Sequence, residues 1–208
     1  MVVPPLPFSA YRELMSDLSR KKAELRKVLR KARREHAASL PPQVSALVFR
    51  RPPAPVLEMV PDGATVGLYH ATEQEAPAGG YARFFMEAGH PIALPRLGAS
   101  DGPIEFRAHS DPFGEEDLEE GPMRLMQPAA TAPIVTPGVL FVPLVGFTES
   151  GHRLGQGGGH YDRYLAAHPD STAIGLAWDV QKIDELPLEE HDMPLTAIIT
   201  PTRIYGPF

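Results

Sequence analysis

The stretch Gly151-His152-Arg153-Leu154-Gly155-Gln156-Gly157-Gly158-Gly159-His160-Tyr161-Asp162-Arg163-Tyr164 constrains this chain more than any other. Four of the five residues from 155 to 159 are glycine. Glycine loses more backbone freedom on folding than any other residue. Such a cluster therefore makes sense where the main chain needs positive φ or where a ligand approaches it closely. Both are conditions for binding an anion. Upstream, the apolar run 138–147 reads as a buried strand, and downstream 160–167 has helical character. The glycines are expected on a loop that enters a helix.

Such a loop presents consecutive N–H groups, and the positive end of the helix dipole adds to them, so phosphate is the natural guest. Arg153 and Arg163 bracket the loop and add charge to the cradle. Asp162 would be repelled by a bound phosphate unless a cation lay between them, and phosphate-bound Mg2+ takes one or two carboxylates plus water. The residues therefore read as a site for a nucleotide phosphate with Mg2+. The plainer reading is a flexible loop whose Asp162 favours the helix N-terminus. Two common glycine motifs do not apply. A P-loop needs a lysine after its glycines, and the dinucleotide fingerprint needs a third glycine where His160 stands.

Half of the chain's 20 lysines and arginines fall between Arg12 and Arg34, although the net charge is −6. Leu25, Val28, Leu29 and Ala32 recur at helical spacing and leave one buried stripe on a basic rod. Most of these charges read as a solvated face. Lys22 and Arg26, four apart, share a face and could grip one polyphosphate, whereas Lys21 is out of register because its i+4 partner is Leu25.

The run Arg-Leu-Gly-x-Gly-Gly-Gly-x-Tyr-Asp-Arg from Arg153 to Arg163, preceded by Val142-Pro143-Leu144-Val145-Gly146-Phe147, resembles the signature of the 5-formyltetrahydrofolate cyclo-ligase family. Lys22-Ala23-Glu24-Leu25-Arg26 matches that family's Lys-x-x-x-Arg. Asp184-Glu185-Leu186-Pro187-Leu188-Glu189-Glu190-His191-Asp192-Met193-Pro194-Leu195 is similar to its Asp-Glu-Leu-Pro-x-Glu-x-His-Asp-x-Pro-Leu-Asp. The resemblance runs from Lys22 to Thr200 and implies ATP- and Mg2+-dependent cyclisation of 5-formyltetrahydrofolate to 5,10-methenyltetrahydrofolate. It implies ATP contacts from Lys22, Arg26, Arg153, Leu154, Gly155, Gln156, Gly157, Gly158, Gly159, His160 and Tyr161. Arg153 would be catalytic, Asp162 and Asp192 would hold the metal, and His70, Glu75 and Phe106 would meet the folate, with Glu73 a rival to Glu75.

Several positions depart from the family pattern. Ala76-Pro77-Ala78 replaces an acidic and threonine-bearing segment, Arg124 stands for a glycine, and Gln127 for a glutamate. His160 replaces the usual aromatic residue and keeps a flat ring for stacking. Rival readings are a sugar-phosphate isomerase or acyl-transfer enzyme of similar architecture, and a non-catalytic nucleotide or folate binder.

With 208 residues the chain fits one domain. Strands are expected at 64–69, 91–94, 104–107, 138–147, 172–178 and 196–200. Helices are expected from Ala10, capped by Ser9 and capped or restarted at Ser19, and at 43–51, 81–88 and 160–167. That alternation predicts a three-layer α/β/α single domain with a mostly parallel central sheet and a basic N-terminal helix. Residues 1–8 are expected to be extended or disordered, and 111–120 to be a solvated acidic loop. The absence of cysteine excludes disulfides, thiolate metal sites and thiol nucleophiles. His152, His160 and His191 follow no zinc spacing. The acidic balance argues against nucleic acid, and no run is long enough to span a membrane. The proline-broken start lacks the basic flank of a signal peptide. The expectation is a cytoplasmic monomer whose partners are small molecules.

Overall fold

In the computed structural model, which describes residues 8–98 and 103–208, one uninterrupted helix comes first, α1 (Phe8–Ser39). The expectation for 1–8 lies, Phe8 apart, outside the described residues. Ser19 neither caps nor restarts α1. Asp17 pairs with Arg20 and Lys21 one turn on, and the helix runs through. It ends where Pro41 restricts the residue before it to extended conformations. Two short helices follow, α2 (Pro42–Leu47) and α3 (Ala54–Leu57), each with proline in its first turn.

β1 (Val66–Gly67), α4 (Gly79–Glu87) and β2 (Ile92–Arg96) form a unit in which the two strands are parallel. β3 (Glu105–His109) returns antiparallel along β2. β4 (Leu118–Glu120) and β5 (Met126–Pro128) make a separate ribbon, and β6 (Ile134–Val135) closes the edge beside β3. β7 (Val139–Pro143) then enters the centre beside β1. β8 (Gly146–Phe147) and β9 (Arg153–Leu154) form a small hairpin that leads through the glycine loop to α5 (His160–Ala167). β10 (Thr172–Leu176) and β11 (Ala197–Ile199) extend the parallel set, and β12 (Ile204–Tyr205) ends it antiparallel. The eight-stranded sheet has the order β12-β11-β10-β7-β1-β2-β3-β6.

Alternation along the central strands makes the layers. Val139, Phe141, Ile174 and Leu176 pack on one face with Tyr81 and Phe85 of α4. Leu140, Val142, Ala173 and Ile198 pack on the other with Tyr164 and Leu165 of α5. Strands covered on both faces read as continuous apolar runs, as these do. The expected three-layer α/β/α arrangement with a mostly parallel sheet is what the chain adopts.

One expected element divides. The run 138–147 is two strands because Pro143, which has no N–H to extend the ladder, ends β7. The chain then folds back, and the Val145 N–H donates to the Leu154 carbonyl at 2.7 Å.

The sheet order reverses between β1 and β7: β1 leads outward to β2, whereas β7 leads the other way to β10 and β11. Such a switch point leaves a crevice at the carboxyl ends of the strands, where α/β proteins bind ligands. α1 belongs to neither covering layer. It crosses this edge, with Leu29 packed on Val145 and Leu154 and the His36 ring 5.0 Å from that of Trp178.

Candidate active site

The glycine loop leaves β9 and ends as the N-terminus of α5. Gly157 has φ 111° and Gly159, the residue before the helix, φ 63°, so both occupy backbone conformations that side chains resist. Among the described residues, no N–H from Gln156 to Gly159 donates to a main-chain or side-chain acceptor. Four unclaimed donors beside a helix N-terminus form an anion cradle. A side chain at Gly157 would lie 3.5 Å from the Arg26 guanidinium, so that cation stands directly over the loop.

Both ends of the loop are tied together. Arg153 Nη2 donates to Asp162 Oδ1 at 2.8 Å, and its Nη1 donates to the Met193 carbonyl. The Met193 N–H returns a bond to Asp162 Oδ1 at 3.1 Å. Burial pushes the Arg153 pKa down, and Asp162 opposes that shift, so the buried cation is held by its partner.

α1 presents Lys22, Arg26, Arg30 and Arg33 along one side. Arg26 Nε donates to the Gly155 carbonyl at 2.9 Å, and Arg30 bonds the Gln156 carbonyl at 2.8 Å and its side-chain oxygen at 3.0 Å. Lys22, 5% exposed, donates to Glu189 and Asp192, each at 2.6 Å. Lys21 instead pairs with Asp17 on the open face. Lys22 and Lys21 thus lie on different faces of α1. Arg30 and Arg33, within the run expected to be mostly a solvated face, continue the Lys22 side, at i+4 from Arg26 and i+3 from Arg30.

Glu189, His191 and Asp192 hold their ligand atoms within 4.8 Å of one another. Of the expected metal pair, Asp192 lies in this cluster. The structure places Asp162 instead under Arg153 and the Met193 N–H, one residue along the chain from Asp192.

The residues expected at the folate separate. Glu75 reaches the crevice: it accepts from Thr72 N and Oγ1 at 3.0 Å each, and lies 3.4 Å from Gln156 Nε2 and 3.6 Å from Arg33. Glu73 is exposed. His70 turns away to Glu115 Oε2 at 3.0 Å. Phe106, 1% exposed, is a core residue behind the site, its ring 6.4 Å from Tyr161 and 4.8 Å from Tyr164. A strand residue alternates faces, and this one faces α5. Tyr161 supplies the nearer surface: its hydroxyl is buried without a partner, and burial raises its pKa well above the usual range. Among the described residues, the Nε of Arg33, a residue 4% exposed, and the Tyr164 hydroxyl are likewise buried without a partner.

Of the departures in 121–128, Gln127 carries a structural duty and Arg124 takes on the backbone of the glycine it replaces. Arg124 keeps a glycine-like φ of 59°. Gln127, 4% exposed, accepts the Leu97 N–H at 3.0 Å. The stretch 111–120 is more than a solvated acidic loop: its end is β4, Asp117 bonds His109 Nδ1 at 2.9 Å, and Glu119 pairs with Arg96 at 2.7 Å.

The family model for 5-formyltetrahydrofolate cyclo-ligases matches residues 18–201. The 5-formyltetrahydrofolate cyclo-ligase of Escherichia coli strain K12 is 48% identical over 69 residues, 32% of this chain and 38% of that protein. The matched segment thus spans well under half of that relative. The cyclo-ligase of Mycolicibacterium smegmatis is 33% identical over 150 residues, 68% of this chain and 75% of its own. A solved 5,10-methenyltetrahydrofolate synthetase from Mycoplasma pneumoniae has TM-score 0.62 at 22% identity, covering 84% of this chain and 97% of that one. At that identity it bears on the fold alone.

Proposed function

Because the chain belongs to the 5-formyltetrahydrofolate cyclo-ligase family, we propose that it converts 5-formyltetrahydrofolate and ATP to 5,10-methenyltetrahydrofolate, ADP and phosphate. The observation that carries this reading is the meeting of unclaimed N–H groups at 156–159 with Arg26, Arg153 and Lys22 at the sheet's switch point.

The formyl group is an amide, and its oxygen is a poor leaving group. Transfer of the γ-phosphoryl group to that oxygen makes it a good one. The 10-nitrogen then attacks the formyl carbon, phosphate departs, and the nitrogen loses its proton. Phosphoryl transfer demands positioning and charge neutralisation more than covalent help from the protein. The loop N–H groups would hold phosphate oxygens, Arg26 would cover them, and Arg153 would neutralise charge as it develops. Leu154, His160 and Tyr161 would flank the nucleotide. Glu75, with Tyr161, would orient the folate, and no side chain need act as nucleophile.

The donor set fits Mg2+. Glu189 and Asp192 supply hard oxygen ligands, and the Lys22 ammonium held between them supports a cation at this place. Asp192, with Asp162 nearby, would hold the ion, which when bound would neutralise phosphate oxygens. The same reading makes ATP and a reduced folate the partners of a cytoplasmic monomer. No helix among the described residues is long and apolar enough to cross a membrane.

The test is the near-ultraviolet rise of methenyltetrahydrofolate when protein meets 5-formyltetrahydrofolate, Mg2+ and ATP. An ATP-dependent rise is expected. Turnover of a sugar phosphate without ATP, or folate binding without phosphate release, would favour the isomerase or the binder instead.

A further inference from the structure

Away from the glycine loop, a second group of cations gathers on the α4 side of the sheet, and the proposed reaction uses none of it. Arg50, Arg51 and Arg83 line an open cavity of about 620 Å3 together with Phe84 and Phe113. Arg33, Arg96, Arg107 and Arg153 each have a carboxylate partner. Among the described residues, Arg50, Arg51 and Arg83 have none. Glu87 lines the same cavity and pairs with none of them, so the lining holds three positive charges against one negative.

These cations sit on a fixed frame. Phe49 has φ 57°, a conformation costly for a non-glycine residue and sustained only when the surroundings over-determine it. Its ring is buried edge-on to Tyr81 and Trp178, at 5.9 Å from each. The main chain that follows rests on the first turn of α4. A Cβ at Gly80 would lie 2.5 Å from the Phe49 carbonyl oxygen and 2.9 Å from Arg50 Cα, so only glycine admits the approach. Arg51 lies over the Phe84 ring, 5.4 Å from its centroid. Arg83 donates to the Pro112 carbonyl at 3.4 Å and so holds the loop that carries Phe113, whose side is 59% exposed.

We propose that this cavity binds a phosphomonoester dianion carried on a flat apolar ring, with the guanidinium forks of Arg50, Arg51 and Arg83 on the phosphate and Phe84 and Phe113 against the ring. Guanidinium forks match phosphate oxygens two at a time, which a lysine cannot do. The net charge of the lining matches a phosphate near −2. The exposed Phe113 face gains by covering an apolar ring.

The test is calorimetric titration of the full chain with phenyl phosphate, inorganic phosphate and phenol. Wild type and Arg26→Gln should bind phenyl phosphate alike, whereas the double variant Arg50→Gln/Arg83→Gln should bind it at least ~10-fold more weakly at unchanged Tm. Inorganic phosphate and phenol should each bind wild type more weakly than phenyl phosphate. Phe113→Ala should weaken phenyl phosphate and leave inorganic phosphate unchanged. Undiminished binding by the double variant, or binding lost only in Arg26→Gln, would place the anion elsewhere and overturn the proposal. Equal binding of phenyl and inorganic phosphate would remove the ring from it.

Discussion

Arg153 and Asp162 form an ion pair at 2.8 Å that fastens the two ends of the glycine loop to each other. The Arg153 side chain is only 3% exposed, so its charge depends on that partner. Asp162→Ala and Arg153→Ala should therefore each lower turnover by at least ~100-fold, the scale of losing an oriented electrostatic group. Phosphate release measures this. Near-normal release by Asp162→Ala would show that turnover does not need the ion pair.

Lys22 occupies the place between Glu189 and Asp192 that a divalent cation would compete for. Lys22→Met should destabilise the protein by roughly 2–3 kcal/mol, below the full penalty of a broken buried pair because both carboxylates keep some solvent. Mn2+ or Mg2+ without nucleotide should then raise the Tm of the variant more than that of wild type. Lys21→Ala, on the open face, should leave both turnover and the metal response intact.

At Gly157 any side chain is strained by φ 111° and approaches the Arg26 guanidinium. Gly157→Ala should cost about 1–3 kcal/mol locally and weaken ATP by roughly tenfold or more, with folate binding little changed. Separate titrations of the two ligands would read the difference.

Arg124, exposed with φ 59°, holds a conformation that glycine adopts without strain. Arg124→Gly should stabilise the fold by about 0.5–1 kcal/mol, since relief of strain outweighs the added freedom of the unfolded chain. A lower Tm for the variant would assign the arginine a contact that compensates the backbone.

Burial tends to raise the Asp117 pKa, but the Ser110 N–H and hydroxyl and the His109 ring outweigh it, and the carboxyl is held below its usual value. A depressed acid stabilises above its unfolded pKa, and that stabilisation is lost as pH falls through the folded one. Asp117→Asn should thus flatten the fall in Tm from about pH 4 downward while lowering Tm near neutrality. An unchanged acid limb would show that Asp117 carries no such linkage.

Local pattern carried far in this chain, and long-range contact did not. The glycine loop, the helix after it and the buried strands are encoded by neighbours in sequence, and each forms near the expected position. Pro143 ends the ladder of β7 within 138–147, but where the chain then folds back to is set by the Val145–Leu154 bond, which periodicity does not encode. Phe106 and Tyr161 show the same limit: both are aromatic, and only the packing of α5 on the sheet decides which faces the crevice. Arg33 lay unremarked within a basic run because the partner that buries it, Glu75, is on another element. Ser19 lies inside α1 and caps nothing, since a serine marks a cap only where the chain is free to turn.

The α1 bonds have a consequence for how the protein comes into being. Lys22 meets Glu189 and Asp192 across separations of 167 and 170 residues, and Arg26 meets Gly155 across 129. A ribosome making about 5–20 residues per second would release α1 roughly 10–30 s before its last partners emerge. Throughout that interval Lys22 lacks both carboxylates that hold it in the fold, while β1, β2 and β7 can already assemble. The site would thus be complete only late in synthesis, once Asp192 has emerged.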